Sequence, residues 1–248
     1  MRSSSATKRD QTLIPSRKKP TDHIPALARQ IIKQISLLPN TSVKTVRAVR
    51  RQVTKQISSS SAESVVTLAL ALLHSQSSTL RWFAYELILF HPAALRSLNE
   101  ETLQSLGAGL DNWVAVDTFA CYLAGPAWRE RQVSDRLIRD WSQSTDRWWR
   151  RAALVCTVPL NSKARGGAGD ISRTLKVCKA LLADRDDMVV KAMSWALREL
   201  GKRHPAAVRA FIEDHEDKLA PRVIREVRNK LQTGLKNPKK KTALEKKN

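Results

Sequence analysis

From Ile24 onward, apolar residues recur at three- and four-residue intervals, and the pattern holds to about residue 232. It predicts helices over 24–38, 42–57, 61–75, 78–90, 100–109, 111–124, 133–143, 146–158, 171–183, 187–203, 205–215 and 220–232. Alternating β-branched runs are nearly absent, so the chain reads as all-α. The breaks carry turn residues: Pro39-Asn40, Ser58 to Ser61, His91-Pro92, Gly125-Pro126, Gly166-Gly167-Ala168-Gly169 and His204-Pro205. The glycine run has no strand before it and no Lys-Ser/Thr after it, so it is not a phosphate cradle; a flexible helix connection explains it.

The helix over 111–124 breaks the pattern most sharply. Asp111 or Asn112 can cap its start, and Gly125-Pro126 is expected to stop it. Projected at about 100° per residue, Trp113, Val114, Val116, Phe119, Ala120, Cys121, Leu123 and Ala124 fill one broad apolar arc. Asp117 lies inside that arc, one turn after Trp113. An ionised carboxylate among apolar neighbours is costly unless something compensates it. Either Asp117 has a buried partner, or this face opens onto a cleft where a carboxylate is wanted.

The helices repeat. Asp111-Asn-Trp-Val-Ala-Val, Asp146-Arg-Trp-Trp-Arg-Arg and Asp186-Asp-Met-Val-Val-Lys align at offsets of 35 and 40 residues, each with an acidic cap and a bulky residue two positions on. A weaker copy begins at Ser78. Two-helix units at this period predict a curved α-solenoid of HEAT-like repeats, with the second helix of each pair lining the concave face.

Charge sharpens this picture. The chain carries 44 Lys+Arg against 23 Asp+Glu, a formal net charge of +21. Residues 1–22 hold six basic and two acidic residues, and 233–248 hold six and one, so 23–232 keeps 32 basic and 20 acidic residues, a surplus of 12. The expected organisation is a basic tail over 1–22, one repeat domain over 23–232 and a second basic tail over 233–248. A basic surface attracts nucleic acid or anionic membrane. No apolar run of about 18 residues exists to span a membrane, and no secretory h-region opens the chain, so an intracellular nucleic-acid partner is the reading adopted; a merely soluble basic protein is the alternative. Cys121, Cys156 and Cys178 are odd in number and widely spaced in apolar helical patterns, as for buried free thiols in a reducing compartment. The histidines are isolated and no zinc spacing appears, so neither metal nor cofactor is expected.

Three positions carry candidate chemistry. Asp117 and Trp113, at i and i+4, share a helix face; a buried ion pair beside a core tryptophan is the alternative. Arg151 lies beside the apolar face of its helix, one repeat on from Asp117, as an ion-pair partner or a phosphate clamp. Trp195 projects away from the centre of its helix's apolar arc, with Lys191 and Arg198 near it, as a stacking surface beside phosphate-binding cations; a snorkelling surface tryptophan is the alternative. Arg150 adds a further cation, and Trp148 and Trp149 read as core. A lone carboxylate among aromatics and cations can stabilise a developing sugar cation and orient water, the chemistry of glycoside cleavage. On DNA that is hydrolysis of an N-glycosidic bond, and a cationic alkylated purine leaves without a general acid.

These stretches resemble the AlkD-type DNA alkylation repair glycosylases, built from HEAT-like repeats. Asn-Trp-Val-Ala-Val-Asp (112–117) resembles the family's Trp-x-x-x-Asp helix, Trp-Trp-Arg-Arg-Ala-Ala-Leu (148–154) its arginine-bearing helix start, and Lys-Ala-Met-Ser-Trp-Ala-Leu-Arg-Glu (191–199) its Lys-Ala-x-x-Trp-x-Leu-Arg-Glu helix. The resemblance implies Asp117 as catalytic carboxylate, Trp113 and Trp195 at the lesion's deoxyribose and backbone, and Arg151 on DNA phosphate. It implies monomeric action on duplex DNA, with release of N3- and N7-alkylpurines, no metal, and no base-flipping pocket. Two departures stand out: Asn112 replaces a second tryptophan, and residues 26–36 hold no aromatic where the family often has a tyrosine. A non-catalytic HEAT-like nucleic-acid-binding module and a protein-binding scaffold are the competing classes. A carboxylate inside a basic groove disfavours the first of these.

Overall fold

The computed structural model describes residues 23–238; the tail expected over 1–22, and 239–248 of the one expected over 233–248, lie outside the described residues. The described chain forms α1 (Ile24–Ser36), α2 (Val43–Gln56), α3 (Ala62–Leu73), α4 (Ser78–Leu89), α5 (Pro92–Arg96), α6 (Glu100–Gly107) and α7 (Trp113–Phe119). A π-helical turn over Ala120–Ala124 leads on to α8 (Gly125–Arg129), α9 (Asp135–Ser142), α10 (Arg147–Val155), α11 (Val158–Asn161), α12 (Ile171–Ala180), α13 (Asp187–Gly201), α14 (Pro205–Asp214) and α15 (Pro221–Thr233). Among the described residues there is no strand. Helix starts follow the capping residues. The Ser42, Ser61, Ser77, Asn99, Asn112, Ser134, Asp146, Asp170 and Asp186 side chains each accept a first-turn backbone N–H.

The helices pack in two layers. In one, α2 packs on α4, α4 on α7, α7 on α10, α10 on α13 and α13 on α15. In the other, α1 packs on α3, α3 on α6, and α9 on α12. The second helix of every repeat therefore joins one continuous layer, as the periodicity predicts for a HEAT-like array. Between the layers lies an apolar core that includes Phe83, Tyr85, Phe119 and Trp128, all fully buried. Trp149 packs edge-on against Phe119 and tilted against Trp141, and both it and Trp148 are partly buried against the core. Arginine–carboxylate pairs bind successive repeats: Arg47–Glu86, Arg151–Asp117, Arg150–Asp184, Arg147–Asp186 and Arg222–Asp187.

Two expectations need correction. Gly125-Pro126 does not stop the 111–124 helix, which runs on as far as Arg129. Pro126 has no N–H to give the Tyr122 carbonyl and its ring would clash there; the wider π-helical turn absorbs this, with the Gly125 N–H reaching back to the Ala120 carbonyl. The break at His91-Pro92 holds, since α4 ends at Leu89, but a short helix that the periodicity does not predict follows it. Pro92 opens α5, where its missing N–H costs nothing, and His91 Nδ1 accepts the Ala94 N–H at 3.1 Å. Finally, the glycine run is held firmly. Arg203 donates to the Asn161 and Gly167 carbonyls at 2.9 and 2.8 Å, Gly169 N–H to the Leu160 carbonyl at 3.0 Å, and the Arg129 guanidinium to the Arg165 carbonyl. A Cβ on Gly167 would lie 2.5 Å from the Pro159 carbonyl oxygen, so glycine serves close backbone approach there rather than freedom.

Candidate active site

Asp117 and Arg151 meet across the α7–α10 interface. Arg151 Nε donates to Asp117 Oδ1 at 2.9 Å and Nη2 to Oδ2 at 2.8 Å, a bidentate pair, while Nη1 donates to the Met188 carbonyl at 2.5 Å. The three contacts tie three consecutive repeats at one guanidinium. Of the two roles the sequence leaves open for Arg151, this geometry is the ion pair; the side chain is 6% exposed and each nitrogen has a partner. The Asp117 side chain is 16% exposed, so it is mostly buried but retains some access to solvent. Burial pushes its pKa above the ordinary 3.8, and Arg151 pulls it part of the way back.

The apolar arc around Asp117 divides on folding. Val116, Phe119, Ala120, Cys121, Leu123 and Ala124 are buried, but Trp113 and Val114 remain 54% and 50% exposed. Asn112, rather than Asp111, caps the helix, accepting the Ala115 N–H at 3.0 Å, which starts α7 at Trp113. Trp113 thus stands exposed one helical turn before Asp117 and on the same face. Trp195 is half-buried against the core. It follows Met188 by seven residues, which returns it to the helix face whose carbonyl Arg151 reaches.

The other candidate cations divide by environment. Arg150 is structural in its contacts: it pairs with Asp184 at 2.7 Å and donates to the Ser144 and Thr145 carbonyls at 3.0 and 2.8 Å. Arg198 donates to Ser194 Oγ at 3.1 Å, and Ser194 in turn to buried Glu226 at 2.6 Å; burial pulls the Arg198 pKa down. Lys191 is exposed and pairs with Asp187 at 2.7 Å.

Several charged and aromatic residues escaped the sequence reading. Glu86 is buried in α4 and accepts from Arg47 at 3.0 and 2.8 Å and from Arg50 at 3.2 Å. Its signal was the one that singled out Asp117, a carboxylate inside an apolar arc. Tyr122 and Arg165 come together with Arg165 Cζ 5.6 Å from the ring centroid; the π-helical turn that orients Tyr122 has only Pro126 as a sequence signal.

The three cysteines are buried free thiols, as expected. Burial pushes Cys121 and Cys178 up to about 12 and Cys156 well above its ordinary value, so none is a nucleophile at neutral pH. Among the described residues no three His, Cys, Asp or Glu side chains converge as metal ligands, and no helix is long and apolar enough to cross a membrane.

The fold is shared with known structures. AlkD2 from Streptococcus mutans superposes with a TM-score of 0.59 at 18% identity, over 86% of this chain and 99% of that one. The structure of smu.31 from Streptococcus mutans UA159 superposes with a TM-score of 0.58, also at 18% identity and over the same shares of the two chains. No curated protein matches the sequence. The model of one family, DNA alkylation repair enzyme, matches residues 25–231. With that match spanning nearly all of the helical array, the chain belongs to the DNA alkylation repair enzyme family.

Proposed function

We propose that this protein is a monofunctional DNA glycosylase that hydrolyses the N-glycosidic bond of cationic N3- and N7-alkylpurines in duplex DNA. The observation that carries the proposal is Asp117: a mostly buried carboxylate on the continuous helix layer, held by Arg151, one turn from an exposed tryptophan. In the proposed reaction the bond between C1′ and the purine nitrogen breaks, and its electron pair leaves with the base, which departs neutral. The sugar is left as an oxocarbenium ion. Asp117 faces this cation, stabilises it electrostatically and orients the water that adds to C1′; the water's proton passes to the carboxylate or to solvent. Burial withholds competing water from the carboxylate and strengthens its attraction for the cation.

Trp113 and Trp195 contribute aromatic faces to the deoxyribose and backbone, with cation–π attraction as the sugar charge grows. Arg151 is the positioning residue in the ground state: its bidentate grip fixes the carboxylate's plane. A phosphate contact by Arg151 would need one of its present hydrogen bonds to be exchanged. Lys191, Arg198 and Arg150 are proposed to add positive charge along a basic concave face that receives the duplex. The protein acts as a monomer on this reading, and the chemistry needs no metal or cofactor.

A second reading has an observation in its favour. The Asp117–Arg151 pair is one of a series of inter-repeat ion pairs, as a non-catalytic nucleic-acid-binding module would also have. The test is release of 7-methylguanine or 3-methyladenine from alkylated duplex DNA by the purified protein. Release supports the glycosylase; binding of the duplex with no base released leaves only the binding module.

A further inference from the structure

The glycine-rich segment after α11 has no part in the proposed chemistry, yet it is among the most firmly built loops of the chain. Gly166 takes a left-handed conformation with φ of 79°, and the Gly167 N–H returns to the Ser162 carbonyl at 2.9 Å. Arg129 holds the Arg165 carbonyl and Arg203 the Gly167 carbonyl. Backbone and side-chain anchors of this kind exceed what a plain linker needs. What the loop presents is Arg165, whose side chain is exposed and lies over the Tyr122 ring. Arg150, Arg151 and Arg173 each pair with a carboxylate, whereas Arg165 has no ion pair among the described residues.

Tyr122 belongs to the π-helical turn that continues the Asp117 helix, and α4, whose Glu86 pairs with Arg47, packs against that turn. Arg47 of α2 stacks over Trp82 at 5.3 Å and pairs with Glu86, and its pKa is raised first by Glu86 and last by the Tyr122 hydroxyl. Arg50 shares Glu86. Arg47 and Arg50 share the single Glu86 carboxylate, and Arg165 over the half-buried Tyr122 ring adds a charge with no ion pair among the described residues. This cluster adjoins the Asp117 site. Tyr122 follows Asp117 by five residues into the π-helical turn, whose wider winding keeps the two on one side of the helix.

We propose that Arg165, Tyr122 and Arg47 form a phosphodiester-binding site that holds the DNA backbone on the α2 side of Asp117. An arginine fork on a rigid loop beside a tyrosine hydroxyl supplies charge-assisted hydrogen bonds to one phosphate, and the loop's anchors remove the ordering entropy such a contact would otherwise cost. The site supplies grip towards the N-terminal repeats, where residues 26–36 carry no aromatic. The inference rests on the reading that this helix layer faces DNA, but its test does not require base release.

The experiment is equilibrium binding of an undamaged duplex by the full chain across a salt series, comparing wild type with Arg165→Ala and Lys163→Ala. Both variants remove one exposed loop cation, so they share the same change in net charge. Loss of one phosphate contact lowers the slope of log affinity against log salt by about 0.9, so that a wild-type advantage shrinks by about 3.5-fold between 50 and 200 mM salt. The expected result is that change for Arg165→Ala and a much smaller one for Lys163→Ala, with unchanged melting temperatures. Equal effects of the two variants, or no change of slope in Arg165→Ala, overturn the site. A protein that keeps the Arg165-dependent slope and releases no alkylated base retains this site while losing the glycosylase reading; base release with an Arg165-independent slope does the reverse.

Discussion

Removing Arg151 tests what its ion pair does. In Arg151→Met the side chain keeps much of its length and apolar contact, but Asp117 loses both hydrogen bonds and its counter-charge, and the Met188 carbonyl loses its donor. Breaking one side of a buried pair costs about 3–5 kcal/mol; with the carboxylate 16% exposed, water relieves part of this, which brings the expectation to about 2–3 kcal/mol. For a chain of 248 residues about 1 kcal/mol moves Tm by about 2–4 °C, so the melting temperature should fall by about 4–12 °C at neutral pH. The pH dependence follows from the raised pKa of Asp117. A carboxyl that binds its proton more tightly folded than unfolded contributes stability that is fully present below the unfolded pKa and is lost as pH rises through the folded pKa. Arg151 is the cause that lowers the folded value, so its loss raises that value further and widens this window upward from about 3.8. The Tm gap between wild type and Arg151→Met should therefore narrow as pH falls towards 4. In Asp117→Leu/Arg151→Met, where no charge is orphaned, most of the stability should return. Differential scanning calorimetry of wild type, Arg151→Met, Asp117→Leu and the double variant at pH 5 and 7.5 reads all of this. A Tm change below about 1 °C, costs that simply add in the double variant, or a gap that does not depend on pH would refute the reasoning.

Other consequences can be checked separately. Gly125→Ala places a Cβ 2.7 Å from the Ala120 carbonyl oxygen and 2.8 Å from that of Cys156, both backbone, so urea unfolding should show a loss of about 1–3 kcal/mol; no loss would mean that the π-helical turn has slack. Trp195→Ala should lower the rate of base release by more than it lowers affinity for undamaged duplex; equal losses in the two assays would make Trp195 a general contact. The buried thiols should resist a thiol-specific reagent at pH 8 in the native protein and react fully in denaturant, and fast native labelling of Cys121, Cys156 or Cys178 would contradict their packing.

Much of the fold could be read from the sequence because periodicity and caps report local physics. The Ser, Asn and Asp residues that accept first-turn N–H groups precede nine of the apolar runs, and the 35- and 40-residue offsets set which helices share a layer. Periodicity leaves two roles open for Arg151, and its separation of 34 residues from Asp117, close to one repeat, brings the two into contact. What escaped depends on backbone detail that side-chain patterns do not encode. Gly-Pro reads as a stop because proline cannot donate to the fourth residue back, and a π-helical turn evades that rule without a residue signature of its own. The glycine run reads as slack because composition cannot reveal Arg129 and Arg203 arriving from distant segments to hold its carbonyls. Trp113 was projected into an apolar arc and stands exposed at its edge, because the arc is wider than the surface the neighbouring helices cover.

The central claim is that the Asp117 carboxylate stabilises the transition state for base loss. It is tested most directly by the single-turnover rate of 7-methylguanine release from methylated duplex, wild type against Asp117→Asn, at protein concentrations that saturate binding. Asparagine keeps the shape and can still accept from Arg151, but carries no charge towards the sugar. Loss of one preorganised electrostatic partner predicts a rate lower by about 100- to 1,000-fold with duplex affinity largely retained. A rate within about threefold of wild type, from an Asp117→Asn protein that binds the duplex normally, would contradict the claim and leave Asp117 as an inter-repeat ion pair.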